Sequence, residues 1–279
     1  MLPTLKFWKY ATGLVPLGFV LASAVPMKAA PSLQTEAAAT HCSSAIGKLE
    51  PRRTEALGST LEILSWNIQK AGTEGWAQDL AQFSSGVDLA FLQEASLQAD
   101  IESTIPAPLI SSFARGYTTE LLETGVMTLS NGQPTLRCQL SITEPWLGTP
   151  KATSVTEYPL QDRDDRLLAI NLHAVNFTFG VEEFSAQFHM LGDIIDRHQG
   201  PVILAGDLNT WSDRRQAVVN DFLRGYGLEP VEFEDDQRTR AFGRALDHVY
   251  VRGMQTSTAR VIPVSTSDHN ALRISLRIE

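Results

Sequence analysis

The chain predicts an α/β fold in which two mainly antiparallel β-sheets pack face to face with helices outside them. Three observations predict it: strand-length apolar runs alternate with helical ones near both ends, a central stretch alternates with turn signals between its runs, and the two halves share a similar layout. The first half runs from a strand at Leu61 to Trp66, through Trp76, Leu80 and Phe83 on one helical face, to a strand at Val87 to Leu92. From Val126 to Leu172 the turns at Asn131-Gly132, Gly148 to Pro150 and Asp162 to Asp165 suit antiparallel strands better than crossovers. Phe184, Phe188, Leu191 and Ile195 return to helical spacing, Gly200-Pro201 ends that helix, and Val202 to Ala205 is a strand. Another helix follows Ser212, with Val218, Val219, Phe222 and Leu223 inward and Gly225 and Gly227 closing it. Strands at Leu246 to Val251 and Ala271 to Ile278 complete the sheets.

A chain of 279 residues, 43% hydrophobic and 20% charged, has room for one large domain or two small ones. One catalytic domain, residues 61–279, is expected after an N-terminal extension. Lys6 and Lys9 precede a mostly apolar stretch from Tyr10 to Val25, and Ala22-Ser23-Ala24 offers the small residues a signal peptidase accepts. Residues 1–24 therefore read as a signal peptide or, if uncleaved, a membrane anchor, and a periplasmic or secreted location is expected. Residues 25–60, rich in Ala, Ser, Thr and Pro, read as a linker or surface arm. The net charge is −9, and removal of Lys6 and Lys9 with the leader would leave 21 basic against 32 acidic residues, a net of −11. Such a surface repels polyanions outside a local basic patch. Cys42 and Cys138 are the only cysteines, and they form either one disulfide between arm and strand or two buried thiols. A monomer is expected.

Chemistry gathers where strands end. Trp66-Asn67, Gln93-Glu94 and Gly206-Asp207-Leu208-Asn209 each follow an apolar run, and Ser267-Asp268-His269-Asn270 stands before the last strand. Asn67, Glu94, Asp207, Asn209 and Asp268 offer oxygen ligands and amide donors, which favours Mg²⁺, Mn²⁺ or Ca²⁺ over zinc. His173 and His269 are left for proton transfer, and Asp247 beside His269 would fix its tautomer and raise its basicity. A divalent ion, a water-activating dyad and amide donors together suit phosphate-ester hydrolysis. Each motif alone is weak, since Asp-Xaa-Asn is usually a turn or cap and Gln-Glu usually surface. Their joint order carries the reading.

That series resembles the endonuclease/exonuclease/phosphatase superfamily, the divalent-metal phosphodiesterases related to DNase I, abasic-site endonucleases and neutral sphingomyelinases, over about residues 61 to 279. The resemblance implies a four-layer DNase I-like sandwich. It implies that Asn67, in Leu64-Ser65-Trp66-Asn67-Ile68-Gln69, contacts metal or phosphate, and that Glu94 is the principal metal ligand. His173, in Asn171-Leu172-His173-Ala174, donates to phosphate or acts as an acid; Asp207 orients the nucleophile or metal; Asn209 binds phosphate. Asp247 orients His269, the base, and Asp268 is a metal ligand or orienter. More narrowly, His173-Ala174-Val175-Asn176-Phe177 and the block Asp235 to Arg244 resemble the bacterial YafD-like branch, whose substrate does not carry over. Gly125-Val126-Met127-Thr128-Leu129-Ser130-Asn131 lacks the arginine many members place there, and the separate tyrosine of abasic-site endonucleases finds no match.

Arg214, Arg215, Arg238, Arg240 and Arg244 form either a phosphate-binding rim, with Arg244 foremost, or surface pairs with Asp213, Asp235 and Asp236. His189 and His198 read as surface residues, Asn176 as structural, and Trp146 and Trp211 as either stacking groups or cover for the core's rim. The expected activity is a metal-dependent nuclease acting on nucleic acid; the alternatives are a phospholipid or small-molecule phosphoesterase, with membrane association through the N-terminus, and a non-catalytic binding module.

Overall fold

The computed structural model describes residues 33–48, 56–107 and 109–279, so the expected leader at residues 1–24 lies outside the described residues. Helix α1 (Leu33–Ala45) falls within the stretch expected as linker or arm. It lacks an amphipathic period, but it is held by packing and by a covalent tether. Ala39 and Cys42 are buried, Cys42 is disulfide-bonded to Cys138, and the Thr35 hydroxyl donates to the Ser141 carbonyl at 3.0 Å. Tertiary contacts can stabilise a helix that propensity and pattern do not announce.

The domain proper opens with β1 (Thr60–Asn67), α2 (Trp76–Phe83) and β2 (Leu89–Ser96). Strand β3 (Ile110–Thr118) precedes the expected alternating middle and was not anticipated; the middle itself becomes β4 (Glu123–Ser130), β5 (Leu136–Thr143), β6 (Pro150–Pro159) and β7 (Arg166–His173). Next come α3 (Glu182–Ile195), β8 (Val202–Asp207) and α4 (Asp213–Tyr226). The Ser212 hydroxyl caps α4, and Gly227, with φ 63°, ends it in the left-handed conformation; Gly225 lies inside the last turn. The chain closes with three short strands, β9 (Glu229–Pro230), β10 (Arg240–Ala241) and β11 (Arg244–Ala245), then β12 (Asp247–Arg252), β13 (Met254–Ile262) and β14 (Ala271–Ile278). Strand β13 was not anticipated: it lies on a sheet edge and exposes most of its residues, so no buried alternation marks it.

One six-stranded sheet has the order β13-β14-β1-β2-β4-β3 and the other β5-β6-β7-β8-β12-β9. Each contains one parallel pair, β1–β2 and β7–β8, with the helices α2 and α3 as the respective crossovers; the other pairs are antiparallel. Ile63 and Phe91 of the first sheet meet Ala169 and Ile203 of the second in the central core. Their neighbours face outward, Leu64 and Trp66 onto Leu80 and Phe83 of α2, and Ile170 and Leu204 onto Phe184, Phe188 and Phe222 of α3 and α4. Helices, two sheets and helices make the expected four layers. One polar clasp crosses the apolar middle: Asn171 Nδ2 donates to the Met127 carbonyl at 3.0 Å, and its Oδ1 accepts from Gln93 Nε2 at 2.8 Å.

Candidate active site

Register brings the strand ends together. In the parallel pairs Asn67 lies opposite Gln93 and His173 opposite Asp207, while Asp247 at the start of β12 lies opposite Asp207. Gly206 is required for this approach: its φ is 146°, and a Cβ there would stand 2.0 Å from the Leu172 carbonyl oxygen. Glu94 and Asn209 both adopt φ 50°, a left-handed conformation that costs a non-glycine residue about 1–3 kcal/mol and clusters at functional sites. At Glu94 the β2–β4 register shifts between Leu92 and Ala95, a bulge that re-aims its side chain.

The contacts form a chain. Asp247 Oδ2 lies 2.8 Å from His269 Nδ1, and His269 Nε2 is 3.9 Å from Asp207 Oδ2. The same Asp207 oxygen accepts from Asn67 Nδ2 at 3.2 Å and lies 3.5 Å from His173 Nε2, which is 4.0 Å from Glu94. Asn209 donates its backbone N–H to Asp207 Oδ1 at 3.0 Å and its side-chain amide to the Ala174 carbonyl at 3.0 Å. The last motif is anchored beside the first strand, since Trp66 Nε1 donates to the His269 carbonyl at 2.8 Å and Ser267 Oγ to the Asn67 carbonyl at 2.6 Å. Asp268 is exposed beside this cluster, with Ser267 Oγ 3.5 Å from its Oδ1. Arg244 pairs instead with Asp213.

Burial and charge set the proton affinities. Burial lifts the Asp207 carboxyl to about 6, with the Asp247 charge adding to the rise and the His269 charge opposing it. Burial disfavours an imidazolium at His269, but the hydrogen-bonded Asp247 carboxylate and the Asp207 and Asp268 charges outweigh it and raise the ring to about 10. His173 moves the other way, held well below 6.5 by burial and then by the charges of Lys151, His269 and Lys70. A neutral His173 ring accepts from Lys151 Nζ at 2.9 Å through Nε2, which leaves its proton on Nδ1.

Two lysines escaped the sequence reading. Lys151 begins β6 beside His173, a neighbour fixed only by β6–β7 pairing. Lys70 sits in a turn where Gln69, Lys70 and Ala71 all have positive φ, and it reaches Glu94 Oε2 at 3.0 Å. Both line a cleft of about 270 Å³ that opens from Glu94 and His173 between Tyr117, Leu147 and Phe177.

Among the described residues, Asp207, Asp247 and His269 form a group that could hold a metal ion, with ligand atoms within 4.8 Å of one another. This group contains none of Asn67, Glu94 and Asp268, the residues expected as ligands; its His269 Nδ1 is already engaged by Asp247. The oxygen-rich surroundings still fit a hard cation, because the Glu94 and Asp207 carboxylates both stand within 4.0 Å of His173 Nε2 and the Asn67 amide lies against Asp207.

The expected arginine rim is mostly neutralised. Arg238 and Arg240 bind Asp236, and Arg215 is buried, donating to the carbonyls of Val175, Asn176 and Asn209. Asn176 is structural, accepting from Trp211 Nε1 at 2.9 Å. His189 is exposed as expected, but His198 is buried 3.6 Å from Glu157, because the chain turns inward after α3.

The family model for the endonuclease/exonuclease/phosphatase family matches residues 64–269. The fold is similar to that of an endonuclease/exonuclease/phosphatase from Beutenbergia cavernae DSM 12333, with 14% identity, a TM-score of 0.61, and coverage of 79% of this chain and 72% of that one. A family protein from Leptotrichia buccalis C-1013-b superposes at TM-score 0.59 with 14% identity, covering 78% and 99% of the two chains. Humanized D. rerio TDP2 gives 0.58 at 17% identity, with 78% and 99% covered. The chain belongs to the endonuclease/exonuclease/phosphatase family of phosphoester hydrolases.

Proposed function

We propose that the protein is a divalent-metal-dependent phosphodiester hydrolase. The observation that carries this reading is the buried Asp247–His269–Asp207 chain, with contacts of 2.8 and 3.9 Å, joined by Asn67 and His173 at the ends of parallel strands. Asn67, Glu94 and Asp268 are the donors that would hold the cation, whose bound form supplies charge neutralisation at phosphate oxygens.

Asp247 fixes the His269 ring through Nδ1, so Nε2 faces Asp207. Because these two groups share a proton's worth of charge in a buried space, the base function belongs to the pair rather than to either residue. The pair takes the proton of the attacking water, the water oxygen forms the new P–O bond, the bond to one ester oxygen breaks, and the proton ends on the departing alcohol. Asn209 positions Asp207 through its backbone N–H and keeps one side-chain amide hydrogen for a phosphate oxygen. His173 seats Lys151, so the Lys151 ammonium is the cation presented to phosphate at this corner.

Nucleic acid and phospholipid both supply such a diester. The arginines that would track a nucleic-acid backbone are largely paired with acids, which removes the feature that favoured a nuclease. The test is hydrolysis of bis-para-nitrophenyl phosphate beside plasmid DNA with Mg²⁺ or Mn²⁺, an EDTA control and His269→Ala. Metal-dependent turnover that falls about 10³-fold in the variant is expected; turnover indifferent to EDTA and to the substitution would reject the reading.

A further inference from the structure

The lip of the cleft is apolar and projects into solvent. Leu147 and Phe177 line the cleft and are more than half exposed; beyond them Trp146 is 56% and Phe179 83% exposed, with their rings in contact edge to face. Leu121, 87% exposed, tips the β3–β4 hairpin, whose stem residues Tyr117 and Thr124 line the same cleft. Large apolar groups gathered at one site in this way mark a contact surface.

The lip is built to hold its shape. Buried Glu144, in the β5–β6 hairpin that carries Trp146 and Leu147, accepts the backbone N–H groups of Asn176 and Phe177 at 2.6 and 3.2 Å and bonds Thr149. One carboxylate thus staples the two loops that bear the aromatic residues.

The placement of α1 indicates the occupant. Thr35, near its start, bonds Ser141, and Gly47, just past its end, donates to Glu157 Oε1 at 3.0 Å. Strand β5 runs from Leu136, which pairs with Glu157, toward Thr143, so α1 runs antiparallel to it. The N-terminus of α1 therefore lies at the end from which the Trp146 hairpin projects. The preceding residues, with the apolar stretch Tyr10 to Val25 that reads as a leader or anchor, join the chain at that same end. Among the described residues no helix is long and apolar enough to cross a membrane, so contact of the domain with lipid would be interfacial.

We propose that Trp146, Phe179, Leu121 and the adjoining cleft lip dock on a phospholipid bilayer and present the catalytic cleft to lipid headgroup phosphodiesters. The proposal rests on the hydrolase reading for its chemistry. Tryptophan and phenylalanine suit the boundary between headgroups and acyl chains. Lys70 and Lys151 then face the headgroup phosphate, and hydrolysis forms a P–O bond from water, breaks one ester P–O bond and returns the proton to the released alcohol. A net charge of −9 disfavours attraction to anionic lipid, so apolar insertion rather than charge would carry binding, and zwitterionic bilayers are the fitting surface.

The test compares the full chain with Trp146→Ser/Phe179→Ser, two exposed positions outside the cleft lining, on phosphatidylcholine vesicles and on soluble bis-para-nitrophenyl phosphate. The variant is expected to lose vesicle turnover at least about tenfold relative to soluble turnover. Brominated phosphatidylcholine should quench tryptophan emission in the wild type, and Trp146→Ser should remove most of that quenching. An unchanged ratio of vesicle to soluble turnover, or soluble turnover with none on vesicles, overturns the proposal. Loss of plasmid nicking in the double variant, without quenching by lipid in the wild type, overturns it in favour of a base-stacking platform. If the wild type hydrolyses neither diester, the hydrolase reading fails and quenching alone decides docking: quenching lost in Trp146→Ser supports it and absence of quenching refutes it.

Discussion

In the first sheet the parallel pairing of β1 with β2 ends at Asn67 and Gln93, and a bulge within β2 takes Glu94 out of the pairing ladder to meet an exposed Lys70; in the second, β7–β8 ends at His173 and Asp207, both buried. The same strand-helix-strand geometry thus produces one open, strained end and one closed end. The open end has a half-buried carboxylate with solvent access, which suits an exchangeable ion. The closed end has its carboxyl lifted by burial and its imidazole fixed by a second acid, which suits proton handling. What differs between the halves is desolvation rather than fold.

The division can be broken most sharply at Asp207. Asp207→Asn keeps the shape but removes the proton acceptor, and kcat on a soluble diester should fall about 10³-fold with the divalent-ion requirement little changed. Glu94→Gln should do the reverse, raising the ion concentration for half-maximal activity about 10–100-fold while kcat largely recovers at saturating ion. If both variants shift ion dependence equally, the halves do not divide the work.

The two sheets also differ in how they are secured, since only the second carries α1. Cys42→Ser/Cys138→Ser removes a tether spanning 96 residues and should lower unfolding free energy in urea by about 2–4 kcal/mol with kcat unchanged. The smallest effect is expected at Glu157, also on the second sheet. Burial pushes its carboxyl up, but its contacts with His198, Arg166 and Thr135 outweigh this and hold it below its ordinary 4.5. A depressed carboxyl contributes stability above the unfolded value that is lost as pH falls through the folded one. Thermal melts should therefore show Glu157→Gln less stable than wild type at pH 7, with the gap closing in acid below pH 4.5.

The strand ends were legible because each buried run stops at a polar residue, as Trp66 does at Asn67 and Ala205 at Gly206-Asp207. The crossovers and the helix capped by Ser212 were legible for the same local reason. Lys70 and Lys151 were not, because one depends on three consecutive left-handed residues and the other on register between strands. Helix α1 was hidden because its stability comes from contacts about a hundred residues away along the chain. Arg244 read as a phosphate ligand from its nearness to Asp247 in sequence, but its side chain reaches Asp213 instead.

The amide clasp between Gln93 and Asn171 bears on how the two halves keep their spacing. Apolar faces adhere without preferring one lateral offset, so two greasy sheets can slide over each other at small cost. Hydrogen bonds weaken steeply when bent or stretched. Asn171, gripping Gln93 and the Met127 carbonyl across the interface, converts a slippery contact into an indexed one. Gln93 is the residue just before Glu94, and Asn171 stands two before His173. The alignment of Glu94 with His173 is thus pinned one or two residues behind their side chains, by Gln93 and Asn171, which lie fully buried between the sheets.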